Sequence, residues 1–233
     1  MIYELTIAGA GRNALGTDVM NECLRKIGEA AGRPLLLTGE GPAFSAGLNL
    51  KEVAALDRAG AERFLEVLDR LVGALYTYPA PTVAWVNGHA IAGGCVLALA
   101  CDYRVAAPDP SCLVGLNEVA LGLQFPPRIL DLVRRRVPSE HLETVVLGAG
   151  LFAPVEALRL GLLDAVREDA EAHARARLAE LAAHPLEAYA AAKHAIRPPL
   201  GATAKELAAF DGTGLASWVS PELKARIAKV LRR

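Results

Sequence analysis

An α/β core over residues 1–167, followed by a helical region over 168–233, is the fold class that the sequence predicts. Three observations carry it. Short apolar runs such as "RPLLLTG" and "TVAWVNG" alternate with stretches whose apolar residues recur at helical spacing. The runs are nearly continuous in apolar residues, which is the pattern of parallel strands covered on both faces. After Pro126 such runs thin out, and from about Glu168 onward the spacing is helical.

Each element follows in order. Ile2 to Ala8 alternates as a strand. Thr17 or Asp18 is placed to cap a helix with Val19, Met20, Cys23, Leu24 and Ile27 on one face. "RPLLLTG" is a buried strand and "EGPAFSAGLNL" the loop after it. A long helix carries Phe64, Leu65, Leu68, Leu71, Val72 and Leu75, and Pro79 and Pro81 stop it. "TVAWVNG" is the next strand, "AGGCVLALACD" a buried helix started by glycine, and "YRVAA" and "SCLVGL" are strands again. "APVEALRLGLLDAV" enters a helix at Pro154, leaves it at Gly161 and ends in a short strand. The last helix has Ser220 as cap, Pro221 at its first position, and Leu223, Ile227, Val230 and Leu231 on one face. "TIAGAGRNALG" contains a GxGxxA pattern like a dinucleotide fingerprint. That fingerprint needs the helix to begin at its glycines, whereas Gly16 and the capping residues after it place the helix later.

Composition bounds the function. With 53% hydrophobic and 22% charged residues, the 233-residue chain can build a proper core. A net charge of −1 gives no general attraction to nucleic acid or to anionic membranes, so neither is expected as a partner. The run Arg134-Arg135-Arg136 fits a solvated helix end as well as a phosphate contact. Cys23, Cys95, Cys101 and Cys112 form no CxxC pair and show no metal-like spacing with histidine, so no metal site is expected. The start of the chain lacks a basic segment followed by an apolar run, and Ala90 to Cys101 is shorter than the ~20 residues that span a bilayer. A reducing cytoplasm is the expected compartment.

Three stretches carry candidate chemistry. "LVGLNEVALGL" sets Asn117 and Glu118 in an apolar run. A carboxylate there either surfaces to open the next helix or is buried and held for chemistry. "FSAGLNL" and "NGHAIAGGC" each bring glycine and small residues to a strand end. If the two converged, their free N–H groups would form an oxyanion hole, although Gly93 and Gly94 equally suit close helix–strand packing. His89 and His141 could serve as acid or base, with His89 reading rather as a satisfied structural histidine. Cys95 sits in an apolar helix, a poor place for a thiolate. Tyr76, Tyr78, Trp85 and Trp218 read as core or interface residues.

Taken in order, the stretches resemble the crotonase (enoyl-CoA hydratase/isomerase) superfamily. "AFSAGLNLKEV" is similar to its first oxyanion loop and "VAWVNGHAIAGGCVLALACDYRVA" to its second, while "RNAL", "GLNEVALGL" and "PVEALRLGLLDAV" fall where the family has them. By the resemblance, the family's usual first hairpin strand is expected to be missing from this chain. The resemblance implies a spiral of ββα units, a helical oligomerisation region giving a homotrimer or hexamer, and acyl-CoA thioester substrates. Coenzyme A is then part of the substrate, and no separate cofactor is expected. Carried over by position, the oxyanion donors are Leu48 and Gly93, the Ala46-Gly47-Leu48-Asn49-Leu50 loop contacts the acyl-CoA, and Arg12 meets the nucleotide phosphates. Asn49 stands where the family usually has aspartate, a residue that ties down the loop.

The reaction turns on one position. Hydratases of the family hold a water between two glutamates; here the second is Glu118, but the first is Val96. An apolar wall holds water poorly, whereas moving a double bond needs a single base. The pattern most resembles the Δ3,Δ2-enoyl-CoA isomerases, with Glu118 as the proton shuttle, its pKa raised by apolar surroundings, and Asn117 positioning the acyl-CoA. A specialised hydratase, thioesterase or decarboxylase, and a non-catalytic acyl-CoA binding subunit, are the alternatives.

Overall fold

The computed structural model describes residues 1–232. β1 (Tyr3–Ile7) leads through the tight turn α1 (Ala10–Asn13) into α2 (Thr17–Ala30). One ββα unit then recurs. β2 (Leu35–Gly39) and β3 (Ala43–Ser45) precede α3 (Leu50–Ala55) and α4 (Arg58–Tyr76). β4 (Thr82–Val86) and β5 (His89–Ile91) precede α5 (Gly93–Ala100). β6 (Tyr103–Ala106) and β7 (Val114–Gly115) precede α6 (Glu118–Leu121) and α7 (Pro127–Arg136). After them come α8 (Leu142–Val146), β8 (Leu151–Phe152), α9 (Pro154–Arg159) and β9 (Ala165–Val166). The remaining helices are α10 (Ala170–Ala182), α11 (Leu186–Ile196), α12 (Ala204–Ala209), α13 (Leu215–Trp218) and α14 (Pro221–Val230).

The first strand of each unit joins a five-stranded sheet, β1-β2-β4-β6-β9, and the second joins a four-stranded one, β3-β5-β7-β8. All pairings are parallel except β7 with β8. Successive units therefore lie side by side in both sheets, the spiral that the resemblance implies. Asn87 clamps one unit to the previous one: it accepts from Gly39 N at 3.0 Å and donates to the Gly39 and Gly41 carbonyls.

Period-two alternation explains the apolar runs. Leu35 and Leu37 face a core shared with Met20, Cys23, Phe64 and Leu68 of α2 and α4. Leu36 points the other way, with Val83 and Val105, onto Ala170, Ala174 and Leu178 of α10. With both faces covered, every side chain of β2 is buried. Tyr76, Tyr78 and Trp218 are buried, and Trp85 packs against the α10 side. No helix is long and apolar enough to cross a membrane among the described residues.

Three local expectations need correction: first, "EGPAFSAGLNL" is not all loop, since its Ala43–Ser45 is β3. Gly16, not Thr17 or Asp18, is the N-cap of α2, and it offers no side chain. Glu52 of α3 takes that role instead: it accepts from Thr17 N at 3.0 Å and from the Thr17 hydroxyl. A carboxylate from a neighbouring helix thus meets both the free amide and the positive end of the helix dipole. Nor is Arg136 a solvated helix end. Its guanidinium donates to Leu99 O and Cys101 O at 3.0 Å, closing the C-terminus of α5. Burial, together with Arg104 and Arg197 nearby, lowers its pKa to about 10.

Beside it, Asp102 accepts from Lys193 at 2.9 Å and forms an ion pair with Arg197 at 2.8 Å, pinning α11 to the base of α5. Tyr189 and the Thr82 amide also donate to this carboxylate. Replacing Asp102 by Leu would leave two buried cations unpaired. The expected loss is about 3–5 kcal/mol, a fall in Tm of roughly 10 °C that scanning calorimetry would read. An unchanged Tm would mean that the pair contributes nothing.

Candidate active site

The loop after β3 is held from several sides. Asn13, buried and at φ 60°, donates to Ala43 O at 2.7 Å and Glu40 O at 2.9 Å, and accepts from Gly9 N. Asparagine tolerates that left-handed conformation better than most residues. Ser45 donates to Asn13 O at 2.8 Å, and Ala46 N donates to Arg12 O. Leu15 N binds Gly47 O and Asn49 N binds Leu15 O, so both residues flanking Leu48 are tied. Among the described residues the Leu48 amide itself has no partner. Asn49 caps α3 by accepting from Lys51 N and Glu52 N, the loop-fixing part expected of it.

The second loop meets the first at contact distance. Gly47 has φ 90°, and a Cβ on it would lie 2.6 Å from Ile91 O. A Cβ on Gly94 would lie 2.5 Å from Ser45 O, so this glycine is required for close packing. Gly93 is different: it is the first residue of α5, where helix amides lack intrahelical partners, and it packs against the Leu48 side chain. Ala92 before it sits at φ 48°, ψ −117°, a conformation of a kind that costs about 1–3 kcal/mol. Its amide bond to Gly115 O at 2.8 Å helps to hold it there. The packing reading therefore holds for Gly94, while Gly93 opens α5 beside Leu48.

β7 carries the chain beside β5 and on into Asn117 and Glu118. Glu118 does open a helix, α6, but it is buried, with only 6% of its surface exposed. Burial pushes its carboxyl up to about 7, with its own backbone amide pulling the other way. Glu118 Oε2 and Asn117 Oδ1 are both buried without a hydrogen-bond partner among the described residues. Both residues line a cavity of about 270 Å³, together with Ala46, Leu48 and Ala92. Its wall is otherwise apolar, and Glu118 is the one ionisable side chain on it among the described residues. A second cavity of about 280 Å³ shares Ala46, Leu48, Leu50 and Val230 and extends to Gly11 and Lys51.

Not every expected residue reaches the cavity. Val96 is buried in α5 and does not line it; Leu50, Val53, Ile91, Leu121 and Leu123 make the wall instead. Gly93 stands just behind Ala92, which does line it. Arg12 is exposed, without a side-chain partner, on the turn beside the second cavity. His141 precedes α8, away from both cavities. Cys95 is wholly buried, and burial pushes its thiol far up. Asn13 and Ser45 are not singled out in the sequence, and Val230, read there as part of a packed helix face, lines the cavity. "RNAL" contains Asn13, but nothing in the spacing shows that its amide ties four segments together.

Residues 2–222 match the family described as enoyl-CoA hydratase/isomerase. The chain belongs to the enoyl-CoA hydratase/isomerase family. The human mitochondrial delta3-delta2-enoyl-CoA isomerase structure superposes with TM-score 0.87 at 28% identity, over all of this chain and 93% of that one. Enoyl-CoA delta isomerase 1 of Mus musculus is 38% identical over 146 residues, 62% of this chain and 50% of that protein. A putative enoyl-CoA hydratase of Thermus thermophilus is 36% identical over 163 residues, 66% of this chain and 63% of that protein. The chain thus spans about half the length of the mouse relative. Family membership and crotonase fold are shown; which reaction this member runs is a separate question.

Gly47 tests the loop contact. Gly47→Ala puts a methyl into a left-handed residue and against Ile91 O. The expected cost is about 2–3 kcal/mol, or a Tm lower by roughly 4–12 °C in a thermal melt. A Tm within a degree of the parent would show that the loops have room to part.

Proposed function

We propose that this family member is an isomerase that shifts the double bond of a 3-enoyl-CoA to give 2-trans-enoyl-CoA, with Glu118 shuttling the proton. The observation that carries the reading is Glu118 itself, the one ionisable side chain lining an apolar cavity among the described residues, with a free carboxylate oxygen. In this reading the amides of Leu48 and Gly93 hold the thioester oxygen. Glu118 removes a proton from C2, and the electrons of that C–H bond spread over the thioester and the C3–C4 double bond as a dienolate. The same carboxyl returns the proton at C4, leaving the double bond between C2 and C3. The apolar wall excludes water from the dienolate and strengthens the amide contacts. Asn117 positions the acyl group beside the base, and Arg12 meets the nucleotide phosphates. A homotrimer or a hexamer, working in the cytoplasm, completes the proposal.

A second reading rests on Asn117. Its unpartnered Oδ1 beside Glu118 offers one water two acceptors, which favours a hydratase. A near-ultraviolet assay separates the two. Conjugated product from 3-hexenoyl-CoA, without hydration of crotonyl-CoA, supports the isomerase; hydration without conjugation overturns it. Turnover of neither, with tight acyl-CoA binding, would point to a binding subunit.

Glu118→Gln is the direct variant. A base removed should cost roughly 10²–10⁴ in rate. In the parent, Glu118 must be ionised to act, so kcat/KM should fall on the acid side of about pH 7. Stability moves the other way. The fold favours the neutral carboxyl, so its contribution is full below the ordinary value of 4.5 and is lost as pH rises through about 7. That loss comes to about 3 kcal/mol. Glu118→Gln should therefore raise Tm at about pH 9 and leave it unchanged near pH 4; equal melting shifts at both pH values would contradict the burial argument.

A further inference from the structure

His89 lies on β5, three residues before Ala92, and is part-buried outside both cavities. Its Nδ1 accepts a hydrogen bond from Leu113 N at 3.1 Å. Since the backbone amide can only donate, the imidazole accepts there through an unprotonated Nδ1. Leu113 is the residue that enters β7, a strand of two residues. On the same side Ala90 N donates to Leu113 O at 2.9 Å, and Ala92 N donates to Gly115 O at 2.8 Å. Val114 and Gly115 pair with Ala90 and Ile91. Few bonds therefore set how β7 sits on β5, and a side chain supplies one of them.

The two strands lead to different parts of the site. β5 ends at the strained Ala92 and the free Gly93 amide, whereas β7 ends at Asn117 and Glu118. We propose that His89 is a positioning residue that locks the entry of β7 to β5 and so sets the base against the oxyanion amides. The proposal rests on the isomerase reading for its effect on rate, but not for its effect on the strand. His89 touches no reacting atom. Its effect passes through Leu113 and the short strand, and a displacement of about 1 Å at a base can cost up to about a hundredfold in rate.

Two substitutions separate the acceptor from the shape. Leu places a methyl where Nδ1 stands, and Asn places its Oδ1 at the same distance from Cβ. His89→Leu should lower kcat on 3-hexenoyl-CoA by roughly tenfold to a hundredfold, with KM within about twofold, and speed hydrogen exchange at the Leu113 amide. His89→Asn should return both toward the parent. Unchanged exchange in His89→Leu, or His89→Asn matching His89→Leu in exchange and kcat, overturns the proposal. If His89→Leu does not fold, His89→Gln takes its place, since its acceptor stands one bond too far. A parent protein inactive on every 3-enoyl-CoA would sink the isomerase reading alone, because the exchange comparison still decides whether His89 holds β7.

Discussion

Two backbone segments from different units approach each other with no side chain between them, and the site exists because they do. Gly47 faces Ile91 O, and Gly94 faces Ser45 O, at distances no Cβ could occupy. The approach follows from the architecture. Successive ββα units lay β3 and β5 side by side, so the loops leaving them emerge together. Asn13, Ser45 and Leu15 then hold the first loop by its backbone groups, and the Ala92–Gly115 bond holds the second. What is left over is two amides, Leu48 and Gly93, that the fold does not consume.

α5 connects this end of the molecule to a charged base. Its N-terminus carries the free amide, and its C-terminal carbonyls receive Arg136 and Arg197. Cations at a helix C-terminus offset the negative end of its dipole. Asp102 holds Arg197 and Lys193 in turn, so the helix that presents the amide is fixed by ionic contacts at its far end. Arg104 and Asp164 extend the same arrangement to β6 and the segment before β9.

In the proposed function, the Glu118 carboxylate sets stability against chemistry. An unpartnered buried carboxyl is unfavourable once ionised. The same surroundings bring its pKa into the range where a base can both take and return a proton. Relatives named as isomerase and as hydratase fall in the same family, so the fold alone does not fix the chemistry. Here the lining is apolar apart from Asn117 and Glu118. Val96 bears on the choice only by not being a second carboxylate, since Leu50, Val53 and Ile91 form the wall.

The sequence by itself determined the α/β class, the parallel strands, the starts of the helices at Gly93, Pro154 and Pro221, and the family, because apolar periodicity and glycine-rich loops are local patterns. It also singled out Glu118, since a carboxylate amid "LVGLNEVALGL" stands out against its neighbours. Tertiary structure decided the rest. Glu52 capping α2, Arg136 closing α5 at Leu99 and Asn13 tying the loop to β3 join residues 35, 37 and 30 positions apart, and no spacing rule reaches that far. The convergence of the two loops belongs to the same group. It depends on which strands lie adjacent, and adjacency is set by how the units stack rather than by any one segment's composition.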